Sequence, residues 1–367
     1  MNIIHFNHSF YTGGVESLLC GLLNGISTSH KVTFCTFRKM NPDEGMMPNL
    51  SKDVKYVHLG NDKLTKVNKV LNIFKIFCLL AKGKYDVVHL HGAFNYYILS
   101  IFLLHKKVKF FYTVHSDAYM ENGPMSKKFL AVKKYCFEKK YIVPITISPS
   151  SQRSFAELYG CKSELIENGI QQPNVNNGVD LIRPFRYSSQ TRVFTHIGRI
   201  CVAKNQLVLC KVFQRLIDEG NDVVLLIIGP QEIEQIFKDI SKFFSERIVY
   251  LGPKSNVSDY LNNSDAMCLP SVYEGLPITL LESLAVGCVP ICSPVGGIVD
   301  VISNGNNGLL SESSNEQDYY NIIKKFLALS KDEVSSMKIR CRDSFSYYDI
   351  KNTVAKYISC YESYVIK

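Results

Sequence analysis

Two glutamates, Glu274 and Glu282, stand eight positions apart in "VYEGLPITLLESLAVG", around a Gly-Leu-Pro turn that opens an apolar stretch. Pro277 suits the first turn of a helix, where its missing N–H costs no hydrogen bond, and Gly287 suits the position just past a helix end. The spacing therefore predicts a helix that begins at residues 276–278 and stops before Gly287. Backbone N–H groups from Gly275 to Thr279 would be unpaired at its start, where they can bind an anion such as a phosphate. Glu282, about one turn in, is within reach of a ribose whose hydroxyls a carboxylate accepts. Glu274, in the turn, would lie closer to a transferred group. Taken singly, Glu274 also reads as a helix-capping acid and Glu282 as a surface residue. The apolar neighbours of Glu282 weaken the surface reading.

In "HIGRICVAKNQ", Arg199 and Lys204 stand five apart in a loop between a strand and a helix. A guanidinium grips a diphosphate by forked hydrogen bonds and an ammonium acts as a point charge, so the two fit one ligand from two directions. Two solvated side chains are the rival reading. Gly13 and Gly14 in "YTGGVES" let a backbone approach a ligand at the mouth of a helix, without the three spaced glycines of a dinucleotide fingerprint. His89 and His91 in "VVHLHG" and His115 in "YTVHSD" end strands, and His91 and His115 are placed to touch a polyhydroxylated substrate. There is no Ser-His-Asp pattern, no Asp-x-Asp with a metal role and no Cys-x-x-Cys pair. The twelve scattered cysteines read as reduced core residues of a cytoplasmic protein, and no metal and no cofactor is expected.

The elements that must position these residues alternate. Strand-like runs "NIIHFNHS", "KVTFCTF", "VKYVHLG", "DVVHLH", "KFFYTVHS", "IVPITIS" and "SELIENG" are mostly followed by helical stretches, the pattern of parallel α/β layers. Pro, Asn, Gly and Ser interrupt it at residues 171–190, and the alternation restarts at "TRVFTHIGR". The reading is a first domain at 1–170, a linker at 171–190, a second domain at 191–345 and a last helix at 346–367 that crosses back to the first domain. Both domains are doubly wound and Rossmann-like, facing a central cleft that collects ligands at the carboxyl ends of the sheets.

Charge is uneven. Residues 1–180 carry 22 Lys+Arg against 13 Asp+Glu, while residues 181–367 carry 20 of each. Much of the excess lies in "SKKFLAVKKYCFEKKY", where Lys127, Lys128, Lys133 and Lys134 recur among apolar residues. That composition suits an anionic membrane surface, or else a solvated helix face. No segment reads as a secretory signal or a membrane span, and no nucleic-acid fold or aromatic platform is recognisable.

In order and spacing these residues resemble glycosyltransferase family 4, retaining enzymes of the GT-B fold. The similarity is strongest in "GRICVAKNQ", "PSVYEGLPITLLESLAVGCVPICSPVGGIVDVI" and "NGNNGLL", and weaker in "TGGVES", "DVVHLHG", "TVHS", "TISPSS" and "ENGI". The resemblance implies that Arg199 and Lys204 bind the diphosphate of a nucleotide sugar and that Glu282 binds the ribose. It implies that Glu274, with Gly275, Leu276 and Pro277, contacts the donor sugar and phosphates. Gly13 and Gly14 would approach the diphosphate, and His115 the sugar near the reacting centre; Glu274 and His115 are the expected catalytic residues. Acceptor choice would fall to the first half, with His91, Lys127, Lys128, Lys133 and Lys134 on that side. A hexosyl or N-acetylhexosaminyl group would pass from a UDP-sugar, or a GDP-sugar, to a lipid-linked glycan at the inner face of the membrane, without a metal. Departures are Ser283 for the common Ala, Asp300 for the common Glu, and Pro230-Gln231 in place of Asp-Gly. A GT-B nucleotide-sugar epimerase and a non-catalytic nucleotide-sugar-binding protein are the alternative readings.

Overall fold

A computed structural model describes residues 1–60, 66–121, 127–176 and 178–365. The chain forms two compact units, Met1–Gln171 with Asp349–Lys367, and Gln172–Tyr348. From residue 172 onward the Pro- and Asn-rich stretch is part of the second unit. There Arg186 pairs with Asp265 at 3.1 Å, and the Tyr187 hydroxyl donates to the Glu246 carbonyl at 2.8 Å.

The first unit is a seven-stranded parallel sheet, β1 (Asn2–Asn7), β2 (Lys31–Thr36), β3 (Val54–His58), β4 (Val87–Leu90), β5 (Lys109–Val114), β6 (Ile142–Thr146) and β7 (Glu164–Leu165), in the order β3-β2-β1-β4-β5-β6-β7. Most of these strands are near-continuous apolar runs because helices cover both faces. Alternation divides each strand between two cores. Ile4 and Phe6 of β1 and Leu90 of β4 face a core shared with Ile76 and Leu80 of helix Lys66–Lys82. Ile3 and Val87 face the other, which is closed by helix Gly14–Ser27 and by Tyr357 and Tyr361 of helix Ile350–Val365. The last helix thus completes the first unit, and Ile350 N–H bonds the Ile170 carbonyl at 2.9 Å.

The second unit is a six-stranded parallel sheet, β8 (Arg192–Ile197), β9 (Val223–Ile228), β10 (Ile248–Gly252), β11 (Ala266–Leu269), β12 (Val289–Cys292) and β13 (Leu309–Leu310), ordered β10-β9-β8-β11-β12-β13. In both sheets the order reverses beside the first strand. Loops after β1 and β4, and after β8 and β11, therefore flank the switch points at which open α/β sheets bind ligands. Those four loops carry Gly13, His91, Arg199 and Glu274.

Candidate active site

In the second unit the loops after β8 and β11 are stitched together. Lys204 Nζ lies 2.5 Å from Glu274 Oε1, and Ser271 Oγ donates to the same oxygen at 2.7 Å. The two charged side chains are only 17% and 11% exposed. Asn205 adopts φ +54, a left-handed conformation that Asn tolerates better than most residues, and its side-chain amide donates to the Pro270 and Ser314 carbonyls at 3.1 and 3.0 Å. That explains the Lys-Asn pair: Asn205 fixes the loop that aims Lys204. Gly198 leaves room for the Lys204 stem, since a Cβ there would meet it at 3.3 Å.

His196, buried on β8, bonds the Cys268 carbonyl through Nδ1 at 2.9 Å and accepts from Gln206 through Nε2 at 3.1 Å. Burial brings its pKa down to about 4, so the ring is neutral. Gln206 also donates to the Arg199 carbonyl at 2.8 Å and so holds the backbone of that loop. The Arg199 side chain is 63% exposed and pairs with Glu232 at 2.9 Å. Neither the His196–Gln206 brace nor Glu232 was expected from the sequence.

The helix after Glu274 spans Ile278–Val286, with Pro277 as its N-cap and Gly287 at φ +73 ending it. Leu276 is buried and anchors the turn. The turn backbone is held from outside: Gly297 N–H bonds the Gly275 carbonyl at 2.6 Å, and Gly296, at φ +53, passes so close that a Cβ would strike the Glu274 carbonyl. This close approach accounts for the Gly-Gly of "SPVGG". Glu282 lies one turn along the helix, partly buried, and burial pushes its carboxyl up to about 7. Ser283 causes no strain where Ala is common, because its buried hydroxyl donates to the Leu280 carbonyl at 2.7 Å. Thr279 Oγ1 in the first turn and Ser293 Oγ after β12 are buried without a hydrogen-bond partner, among the described residues.

In the first unit, Gly13 is the N-cap of helix Gly14–Ser27, and a Cβ there would run into the Glu16 carboxylate. His91 follows β4 and His115 follows β5. His91 Nδ1 lies 2.9 Å from His115 Nε2, and His91 Nε2 lies 3.1 Å from Nδ1 of His5 on β1. Burial lowers the pKa of His5 to about 3 and of His115 to about 4, and holds His89 and His91 well below the usual value. His89 bonds Tyr361 Oη at 2.5 Å and Thr113 Oγ1 at 2.7 Å. His115 Nδ1 is buried without a hydrogen-bond partner among the described residues.

Two sequence expectations are corrected here. The expectation of no metal does not stand: His5, His89 and His91 are buried and neutral, and each offers a ring nitrogen, all within 4.8 Å of one another. Three neutral imidazoles are a donor set that can hold a metal ion. They come from strands made adjacent by the sheet order, and no sequence motif announces them. Lys133 is not on a basic surface: it is 5% exposed, with Nζ 3.8 Å from Glu121 Oε1 and 3.2 Å from Tyr112 Oη. Lys134 is exposed beside Glu138, and the side chains of Lys127 and Lys128 lie outside the described residues.

The sequence pattern of Glycosyltransferase Family 4 matches residues 12–172, and that of the Glycosyl transferases group 1 matches residues 181–340. The chain is a GT-B glycosyltransferase related to these families. It is 24% identical over 295 residues, 76% of each chain, to the Escherichia coli UDP-Gal:alpha-D-GlcNAc-diphosphoundecaprenol alpha-1,3-galactosyltransferase. It is 25% identical over 300 residues to the capsular polysaccharide biosynthesis glycosyltransferase CapH of Staphylococcus aureus, covering 79% of this chain and 80% of the other. The crystal structure of Anabaena HepE in complex with UDP and glucose superposes with a TM-score of 0.82 at 15% identity, over 99% of this glycosyltransferase and 100% of that chain. At that identity the likeness establishes the GT-B fold.

Proposed function

We propose that this glycosyltransferase moves a hexosyl or N-acetylhexosaminyl group, with retention, from a nucleotide sugar to a lipid-linked glycan in surface-polysaccharide assembly. The observation that carries the reading is the buried Lys204–Glu274–Ser271 cluster at the amino end of helix Ile278–Val286. Cleaving an anomeric C–O bond leaves an oxocarbenium-like centre and a departing diphosphate, so positive charge is needed at the leaving group. Lys204 and the helix amino end supply it, and Arg199 adds a forked donor on leaving Glu232. Glu274 then orients the donor sugar with Gly275, Leu276 and Pro277 behind it, while Glu282 takes the ribose. Within the first unit, the residues we assign by the same reading are Gly13 and Gly14 for a phosphate contact, His115 for a sugar contact, and His91 and Lys134 for the acceptor.

A UDP-sugar is the favoured donor, because the E. coli relative is named for UDP-Gal and HepE holds UDP. The same relative's diphosphoundecaprenol acceptor supports a lipid-linked glycan here. Twelve free cysteines suit work in the cytoplasm, at an anionic membrane surface.

Thermal unfolding with UDP, GDP, ADP and their sugar conjugates tests the donor site. A ligand at about 100 times its dissociation constant adds roughly 2.7 kcal/mol. One nucleotide series should stabilise the wild type, and Lys204→Ala and Glu282→Ala should abolish the effect. No response to any nucleotide would overturn the reading.

A further inference from the structure

Helix Lys66–Lys82 is apolar on both sides. Its inner side sends Ile76 and Leu80 into the core of the first unit, with Ile73 and Phe77 packed beside them. A helix so placed ordinarily turns charged residues outward. Here Val67, Val70, Leu71 and Phe74 are 45–68% exposed, and Cys78 and Ala81 continue the same stripe. The spacing of these six positions, three or four residues at a time, is that of one helix face.

The neighbouring helix Ile98–Leu104 packs against it and adds exposed Phe102 and Leu103. Phe102 stacks on Tyr135 with ring centres 6.1 Å apart, and Lys139 lies over the Tyr135 ring. Cations rim the patch. Residues 67–109 hold seven lysines and one acid, Asp86, whose carboxylate already accepts from the Asn2 N–H at 2.7 Å. Lys69, Lys82, Lys106 and Lys107 are exposed, and Lys75 donates to the Leu59 carbonyl, so its stem lies along the helix flank.

We propose that this face, Val67, Val70, Leu71 and Phe74 with Phe102 and Leu103, inserts into the headgroup region of an anionic lipid bilayer. The inference deepens the reading of a lipid-linked acceptor and rests on it for its purpose, but it moves the contact away from Lys133. Among the described residues no helix is long and apolar enough to cross a membrane. An apolar stripe bordered by lysines lies in the interface plane instead, with its side chains below the headgroups and its ammonium groups on the phosphates. Charge selects the occupant. A second copy of this face would bring lysines against lysines, whereas an anionic bilayer neutralises them.

The protein contains no tryptophan, so Phe74→Trp installs a single reporter on the stripe and Tyr347→Trp one on exposed surface of the second unit. With vesicles of phosphatidylcholine and phosphatidylglycerol, the Phe74→Trp emission should shift to the blue and be quenched by brominated lipid. Tyr347→Trp should show neither effect, and pure phosphatidylcholine should bind at least tenfold more weakly. In flotation assays Leu71→Asp with Phe102→Asp should lower vesicle binding at least tenfold, whereas Ile339→Asp in the second unit should not. No blue shift with anionic vesicles overturns the proposal. So does self-association, seen by sedimentation, that Leu71→Asp with Phe102→Asp abolishes while no vesicle binds. Nucleotide-dependent stabilisation, measured on the same variants, is read separately: its loss in the wild type would sink the donor-site reading and leave vesicle binding standing.

Discussion

Glu282 couples the proposed ribose contact to pH. Its folded pKa of about 7 lies above the ordinary 4.5, because burial penalises the charge and no cation offsets it. A raised carboxyl favours the protonated folded state, so its contribution to stability is full below pH 4.5 and is lost as pH rises through 7. Glu282→Gln, neutral throughout, should therefore raise stability of the ligand-free protein at pH 8 by about 2 kcal/mol after allowance for partial exposure, and hardly change it at pH 4. Thermal unfolding at the two pH values measures this. Ribose hydroxyls donate to the ionised carboxylate and lower its pKa, so UDP-glucose should bind the wild type more tightly at pH 8 than at pH 6. The variant should lose that dependence and bind about tenfold more weakly at pH 8. An unchanged affinity in calorimetry would remove Glu282 from the site.

At the scale of elements, the strand-to-helix loops were legible where local chemistry dictates them. Pro277 and Gly287 mark the helix that the structure places at Ile278–Val286. Near-continuous apolar runs announced most of the strands, because strands covered on both faces need no polar alternation. The two-residue β13 carries too little pattern to read. What joins loops was not legible: the His196–Gln206 brace and the passage of Gly296 over the Glu274 carbonyl exist only once β8, β11 and β12 are adjacent. Gly296→Ala would combine a left-handed φ with a backbone clash, and should cost about 1–3 kcal/mol and weaken donor binding. His196 acts in the opposite sense to Glu282. Its pKa is depressed to about 4, so its contribution is present above 6.5 and lost as pH falls through 4. His196→Gln should cost about 1–2 kcal/mol at pH 7.5 but flatten the loss of stability between pH 6.5 and 4, as followed by thermal unfolding.

At the scale of the whole molecule, the two units differ in what holds them. The first is finished by the chain's own last helix, and charge composition gave no sign that Lys133 would be buried. That needed Glu121 and Tyr112 to be brought beside it, and burial in turn raises the Glu121 pKa and lowers that of Lys133. The histidine cluster was hidden for the same reason. β1 and β4 are paired in register, His5 opposite His89, although more than eighty residues apart. The closing helix touches that cluster through Tyr361, whose ring packs on Phe111 at 4.8 Å and whose hydroxyl meets His89. Tyr361→Phe keeps the ring and strands His89 Nδ1 in a buried site, so it should cost about 1–3 kcal/mol. Tyr361→Ala also removes the packing and should cost about 3–5 kcal/mol. Because Tyr361 packs on Phe111 and bonds His89 and is itself none of the proposed nucleotide contacts, the nucleotide dissociation constant of Tyr361→Phe should match the wild type while its unfolding temperature falls. If nucleotide affinity fell with stability, the buried histidine cluster would be coupled to nucleotide binding and not only to the stability of its own unit.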